Sequence, residues 1–438
     1  MPKFSVSGLR GPIGDELTPD DFLRVANAYA RFLGAGKMLI SRDARISGVM
    51  LEAQVTSGVL AAGCEVIKGG MITTPTSVFA TKVLNLNGGI TITASHNPQD
   101  ENGMKFLETG RFLVPQRMAE FSSFASGFEF RKIPVSGLKE PKEVNALELH
   151  KKKLLELFGS ESFEPRLRVG LDPVNGAAGP EAKEILEALN CEVHVVNFES
   201  TGRFGRGGEP LKENLEALSA LVKEKRLDAG FAFDPDGDRL AFVDEQGRVP
   251  GEEYTVPLCS SWALDKSVSD LVVNLSTSRL IEHVAKEYKT NIFRTPVGEA
   301  HVVDKLLETG GVAGGEGNGG FIYPSFNATR DGLLAMTVLA SLRRRSGSLA
   351  SLVDSLPVYF MEKDKLHKEF SPRIRERVLQ LFPSAQKDTR DGLWLGDEDF
   401  WLHLRPSNTE PVTRIIVEAN TKERSEKILN EVKKICAA

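Results

Sequence analysis

The stretch LRVGLDPVNGAAGPEAKEILEALNCEVHVVNF, residues 167–198, decides the fold. It opens as a strand that ends in a turn, continues as a segment of helical periodicity, and closes in a second strand, CEVHVVNF. Strand, helix, strand in that order is the pattern of an α/β sheet with largely parallel strands. The rhythm recurs in DLVVNLSTSRLIEHVAKEYKTNIFRTPVG (270–298). After about residue 360 the texture changes. FSPRIRERVLQLFPS, DGLWLGDEDFWLHLRPS, VTRIIVEAN and KERSEKILNEVKKIC read as helix, hairpin, strand and helix, an α+β tail. Boundaries are expected in the polar stretch near 137–152, the EQGRVPGEE turn near 245–253, and around 358–365.

Composition sets the outer limits. The chain has 438 residues, 41% hydrophobic and 26% charged, ordinary for a globular protein with sizeable cores. Length alone suggests roughly three domains. A net charge of −5 argues against a broad nucleic-acid-binding face, while leaving room for a local basic pocket. The opening MPKFSVSGLRG has no apolar targeting core, and no run approaches the ~20 apolar residues of a membrane span. Cys64, Cys191, Cys259 and Cys436 are scattered without a CxxC pair. That predicts reduced thiols in a cytoplasmic protein rather than disulfides or a zinc site.

Four loops carry chemistry. ITITASHNPQDENGMKF (90–106) begins as an alternating strand with one wetter face and breaks into Ala94-Ser95-His96-Asn97-Pro98. The expectation is an exposed serine in a small turn, with His96 pointing away from it as neighbours in an extended segment do. FDPDGDRLAFVDEQG (233–247) sets Asp234, Asp236 and Asp238 at alternate positions, and Pro235 and Gly237 between them exclude a helix. Period two turns the three carboxylates to one side, where they raise one another's pKa unless a cation sits among them. Oxygen-only ligands suit a hard divalent ion, Mg²⁺ before Ca²⁺. An EF-hand is excluded: Glu245 fits its twelfth position, but Arg239 stands where glycine is needed and a strand follows. A solvated acidic turn is the plainer alternative. Arg239 beside the acids counts against it, because a metal and a guanidinium together suit phosphate.

AGGEGNGGFIYP (313–324) sets Glu316 and Asn318 among glycines, a carboxylate and an amide able to bond vicinal sugar hydroxyls. A flexible surface loop explains it equally well. LRPSNTEPVTRI (404–415) gathers Arg405, Ser407, Asn408, Thr409 and Arg414, two guanidinium forks with hydroxyls and an amide suited to phosphate. A polar turn before a strand is its alternative. SGLRG and SRDARISG (41–48) add Arg10, Arg42 and Arg45 to these groups, with exposed ion pairs as the equal alternative for each. NGGITITASHN, DAGFAFDPDGD and GGVAGGEGNGG each place a short apolar-rich strand before an unusual loop, as three comparable α/β domains would.

Together these loops resemble those of the α-D-phosphohexomutase family, near its archaeal-type phosphoglucomutase/phosphomannomutase branch, over nearly the whole chain and in the family's order. TASHNP (93–98) resembles the phosphoserine loop, DPDGDR (234–239) the metal loop, GEGNGG (315–320) the sugar-recognition loop and RPSNTEPVTR (405–414) the phosphate-binding loop. The resemblance implies three related α/β domains with mixed sheets plus a smaller C-terminal α+β domain around a central cleft. Their expected spans are 1–145, 146–250, 251–360 and 361–438. It implies that Ser95 carries a phosphoryl group and that Asp234, Asp236 and Asp238 hold one Mg²⁺, which also contacts the phosphoserine. Arg239 would sit near the transferring group. Glu316, Asn318 and His301 would face the sugar, and Arg405, Ser407, Asn408, Thr409 and Arg414 the non-reacting phosphate. Arg10 and Lys105 match positions of proton transfer or its electrostatic support, Lys105 if nearby cations lower its pKa.

The implied reaction interconverts hexose 1- and 6-phosphates through a hexose 1,6-bisphosphate. The expected enzyme is a cytoplasmic monomer or homodimer whose partners are small hexose phosphates, not nucleic acid or membrane. The sequence departs from the family pattern at Phe4-Ser5-Val6-Ser7, where an FGT-like run is usual. It departs again at Asn318 and Gly320, where many relatives have serine and histidine, although GEGNGG occurs in the archaeal-type branch. Competing readings are a metal-dependent phosphatase and a silent sugar-phosphate-binding protein. A serine hydrolase is disfavoured by the lack of a GxSxG elbow. Glucose, mannose and glucosamine phosphates stay open as substrates. Asn408 leans towards the first two, since glycine there is common among glucosamine mutases.

Overall fold

The stretch 167–198 forms strand Leu167–Asp172, helix Ala178–Ala188 and strand Cys191–Val195, the two strands parallel. A computed structural model describes residues 4–437 apart from 6–7, 35, 131, 160–163, 367–369 and 407–411. The architecture is three α/β units with mixed sheets and a C-terminal α+β unit around a cleft. No helix among the described residues is long and apolar enough to cross a membrane.

In the first sheet the strands run Leu9–Pro12, Glu101–Glu108, Gly88–Ile92, Lys37–Arg42, Glu65–Met71, Lys142–Glu143, with Arg111–Phe112 beside Glu101–Glu108. The second sheet runs Leu240–Val243, Ala229–Phe233, Leu167–Asp172, Cys191–Val195. The third runs Ile292–Thr295, Leu271–Asn274, Ala313–Glu316, Gly320–Tyr323, Asn327–Arg330. One rule repeats in all three. Strands Gly88–Ile92, Ala229–Phe233 and Ala313–Glu316 each pair in parallel with one neighbour and antiparallel with the strand that follows them. The three chemically unusual loops are the links at these reversals, where the carboxyl ends of the parallel strands open a crevice.

The first unit and the last have cores of their own, whereas the second and third share one. Helix Gly332–Ser346 is the wedge between those two, buried from Gly332 through Leu342. Asp331 starts it, its carboxylate accepting from the Leu334 amide at 3.0 Å.

Two expectations need correction. Strand Gly88–Ile92 has no wetter face; all its residues are buried. It is central to its sheet, and the Thr91 hydroxyl is satisfied by Ser41 at 3.1 Å. The tail begins with a strand, Phe360–Leu366, before its helix Pro372–Leu381. FMEKDKL is too charged to read as a strand, yet it forms the sheet edge, in the order Phe360–Leu366, Thr413–Ala419, Phe400–Pro406, Leu393–Gly396, Gln386–Asp388.

Candidate active site

Ser95 follows its strand in a left-handed backbone conformation, φ 52°, uncommon for a residue with a side chain. The turn is held from both sides. The Thr93 hydroxyl accepts from the Ser95 amide at 2.9 Å and donates to Asp43 at 2.6 Å. Arg45, 1% exposed, donates to the carbonyls of Ser95 (2.6 Å), Asn97 (2.7 Å), Glu101 (2.7 Å) and Pro98, and pairs with Asp43 at 3.1 Å. The alternative of an exposed ion pair therefore fails at Arg45, a buried buttress of the serine loop. Arg42 does make an ordinary ion pair, with Glu52 at 2.9 Å.

The serine is not exposed either. Ser95 is 1% exposed, its Oγ 3.2 Å from Asp234 Oδ2 and 3.4 Å from His96 Nδ1. His96 does not point away, because the left-handed turn at Ser95 replaces the extended geometry that would separate neighbours. His96 Nδ1 also lies 2.9 Å from an Arg239 nitrogen, and Arg239 pairs with Glu209 at 2.7 Å. Burial first, then Arg239, holds the His96 imidazole well below the usual histidine range.

Asp234, Asp236 and Asp238 are fully buried and offer ligand oxygens within 4.8 Å of one another. Gly237 makes the tight turn at φ 72°, and a Cβ there would meet Thr73 at 2.6 Å. Domain-crossing partners fix the outer oxygens. Asp236 Oδ2 accepts from Thr74 Oγ1 and Lys105 Nζ, both at 2.6 Å. Asp238 Oδ2 accepts from Lys105 at 3.0 Å and Arg330 at 2.6 Å. Asp236 Oδ1 and Asp238 Oδ1 are buried with no hydrogen-bond partner. Orphaned anionic oxygens beside a third carboxylate fit a hard divalent cation.

The acids do not all titrate upward as repulsion alone predicts. Burial and the two neighbouring acids push Asp234 well up. Burial also pushes at Asp236 and Asp238, but Lys105 outweighs it for the first, and Arg330 with Lys105 for the second, so both sit below the usual range. Lys105 contradicts the expectation of a lowered amine. Burial would depress it, but Asp236 and Asp238 outweigh burial and raise it. Arg10 lies on the neighbouring strand, its Nε buried without a hydrogen-bond partner.

A cavity of about 450 Å³ is lined among others by Arg10, His96, Lys105 and Arg239, which border the buried serine and acids, and by Glu209, Glu316 and Asn318. That volume is in the usual range for small-molecule sites, about 300–1,000 Å³. Glu316 Oε1 accepts from Asn274 Nδ2 (2.8 Å) and the Gly298 amide (2.9 Å). Asn318 Oδ1 is buried without a partner. His301, in the first turn of helix Glu299–Thr309, is half-buried and does not line the cavity, whereas Gly298, Glu299 and Ala300 do.

The opposite wall comes from the C-terminal sheet. Lys365, Arg414 and Arg405 stand in register on three adjacent strands, and all three line the cavity. Like charges directly opposite one another are unfavourable in a sheet, and Asp391, 3.3 Å from Arg405 Nε, offsets part of this. Ser407, Asn408 and Thr409 lie outside the described residues. Lys365, Glu209, Thr74 and Arg330 were missed in the sequence because none sits in a motif; each reaches the site through the fold.

Sequence profiles of the phosphoglucomutase/phosphomannomutase family match the chain four times: α/β/α domain I over residues 1–121, domain II over 150–247, domain III over 251–359 and the C-terminal domain over 363–435. A phosphoglucomutase/phosphomannomutase of Thermococcus kodakarensis is 34% identical, over 97% of this chain and 96% of its own. A probable phosphoglucosamine mutase of Pyrococcus abyssi is 32% identical, over 99% of this chain and 97% of its own. The crystal structure of a phosphoglucomutase/phosphomannomutase family protein from Burkholderia thailandensis superposes with a TM-score of 0.86 at 25% identity, covering 99% of this chain and 97% of that one.

Proposed function

The chain belongs to the phosphoglucomutase/phosphomannomutase family and is an intramolecular phosphotransferase; from that premise we propose that it interconverts a hexose 1-phosphate and its 6-phosphate with Ser95 as the phosphoryl carrier. One observation carries the reading: one cavity is lined by two unlike sets of groups. One set, His96, Lys105 and Arg239, touches the buried serine and acids: His96 Nδ1 lies 3.4 Å from Ser95 Oγ, which is 3.2 Å from Asp234, and Lys105 bonds Asp236 and Asp238. The other set is the cationic row of Lys365, Arg414 and Arg405, with Glu316 and Asn318 lining the same cavity.

In the proposed cycle, the phosphate on Ser95 passes to the free hydroxyl of a bound hexose phosphate. The Ser95 Oγ–P bond breaks as the sugar O–P bond forms, and the sugar hydroxyl's proton ends on the departing Ser95 Oγ, giving a hexose 1,6-bisphosphate and a free serine hydroxyl. The bisphosphate turns over in the cleft, and its other phosphate returns to Ser95. Asp234, Asp236 and Asp238 would hold the Mg²⁺, which would supply charge neutralisation at the transferring group. Arg239 adds a guanidinium there, and Lys105, bonded to Asp236 and Asp238, adds an ammonium. Arg405 and Arg414 grip the non-reacting phosphate, which must be accepted from either end of the sugar. The work is positioning and electrostatics, as is usual in phosphoryl transfer.

The sugar is a glucose or mannose phosphate in the first reading. A second, glucosamine phosphate, is supported by the Pyrococcus abyssi relative, whose name is that activity at nearly equal identity. A coupled assay on glucose, mannose and glucosamine 1-phosphates separates the two. After incubation with a hexose 1,6-bisphosphate, mass spectrometry should find one phosphate, on Ser95. Release of free phosphate without isomer would make the protein a phosphatase and end the proposal.

A further inference from the structure

Arg330 on strand Asn327–Arg330 is 7% exposed and lines the cavity, yet it belongs to none of the four loops. Each of its three side-chain nitrogens faces a different carboxylate. Nη2 donates to Asp238 Oδ2 at 2.6 Å, Nη1 to Glu316 Oε2 at 2.8 Å, and Nε to Glu299 Oε2 at 3.2 Å. The Arg330 backbone amide donates to Glu299 Oε1 at 2.8 Å, so Glu299 grips both ends of the residue. One guanidinium thus ties the metal loop, the sugar loop and the start of helix Glu299–Thr309 together.

The path it takes explains a glycine. Arg330 is in register with Ile322, and Glu316 is in register with Gly320 on the same intervening strand. To reach Glu316 the side chain must cross strand Gly320–Tyr323, and strands lie about 4.8 Å apart. It crosses over Gly320: a Cβ there would meet Arg330 Cδ at 2.2 Å and Cγ at 2.9 Å. Gly320 has no positive φ, so its backbone does not require glycine; the arginine does.

We propose that Arg330 is a positioning residue that couples the metal loop to the sugar loop, and that Gly320 is the passage it needs. Two orientations follow from the clamp. With Oδ2 of Asp238 held by Arg330 and Lys105, Oδ1 is the oxygen left without a hydrogen bond, 3.8 Å from Arg239 Nε. With Glu316 Oε1 taken by Asn274 and the Gly298 amide, and one lone pair of Oε2 by Arg330, the other Oε2 lone pair is left for a sugar hydroxyl. A change on the sugar loop should therefore be felt by the cation.

The inference rests on the mutase reading, and the experiment separates the two. Gly320→Ala keeps every charge and presses hardest on the arginine, at 2.2 Å from Arg330 Cδ against 3.0 Å from Asn318 Oδ1. It should weaken Mg²⁺ binding about threefold or more, by calorimetric titration of the protein without substrate, and raise KM. In an Arg330→Met background, adding Gly320→Ala should change neither quantity further. Arg330→Lys keeps the charge and loses the fork, and should cost about tenfold in kcat/KM. Melting curves check that each variant is folded. An unchanged Mg²⁺ isotherm for Gly320→Ala, additive effects in the double variant, or full activity in Arg330→Lys overturns the clamp. Turnover surviving in Ser95→Ala would instead overturn the mutase reading, while the Mg²⁺ isotherms would still judge the clamp.

Discussion

The two walls of the cleft solve opposite problems. The transfer wall, built by the first three units, is desolvated and cross-tied. Thr74 and Lys105 reach Asp236 from a helix and a strand of the first unit, and Arg330 reaches Asp238 from a strand of the third. The holding wall belongs to a unit with a separate core, joined to its neighbour by polar contacts. Arg279 donates to the carbonyls of Glu398 (2.8 Å), Phe400 (2.7 Å) and Asp397, and Ser276 bonds His403 at 2.8 Å. Lys363 bonds Glu252 at 2.8 Å and Glu253 at 3.2 Å. Buried charge networks are costly to break, about 3–5 kcal/mol per lost partner, whereas polar interdomain faces separate readily. The comparison teaches that rigidity is concentrated where charge moves and adaptability where either end of a substrate must be received.

The sharpest way to break that comparison is at its centre. Ser95→Ala should lower mutase turnover by a factor on the order of 10⁴ or more with an unchanged circular dichroism melt. Residual turnover near wild type would mean that the rigid wall serves something else. Asp236→Ala should cost about 10²–10³ in kcat and abolish the Mg²⁺ dependence together with the rate. A full loss of rate with an intact Mg²⁺ titration would remove it from the ligand set.

Substitutions on the holding wall should look different in kind. Arg405→Ala and Arg414→Ala should each raise KM about 10–100-fold, with a smaller change in kcat, as loss of a charge-assisted hydrogen bond predicts. Equal falls in kcat would erase the division of labour.

The smallest effect concerns the seam between units. Burial, opposed by Lys363, pushes the Glu253 carboxyl up to about 7 from an ordinary 4.5. A raised acid is favoured by the fold in its protonated form. Its contribution to stability is full below about pH 4.5 and is lost as pH rises through about 7. Glu253→Gln cannot ionise, and should flatten the fall in melting temperature between about pH 5 and 8 by about 2 °C. Parallel profiles for the two proteins would remove Glu253 from the account.

Much of the transfer wall was legible because its groups lie close together in sequence. Asp234, Asp236 and Asp238 announce themselves by period and by Pro235 and Gly237 between them. Their partners do not: Thr74 is 162 residues from Asp236, and Arg330 is 92 from Asp238. Arg45 could equally be read as a surface residue because nothing local shows that four backbone carbonyls will converge on it. Strand Phe360–Leu366 was hidden by its charges, and with it Lys365, whose register against Arg414 exists only once the sheet has formed. The buried Ser95 escaped for a conformational reason, since no residue type at that position signals a left-handed turn.

The ties across the transfer wall also order events in time. Domains generally fold as units from the amino end while the chain is still being made. Thr74 and Lys105 are in place when Asp234, Asp236 and Asp238 emerge, so the acids find a cation and a hydroxyl waiting. Arg330, 92 residues beyond Asp238, arrives later. Until then Asp238 shares Lys105 with Asp236, and the acids are only partly neutralised. If the units form in chain order, the second unit's most charged turn lacks its last partner until the third arrives, just as its share of their common core does.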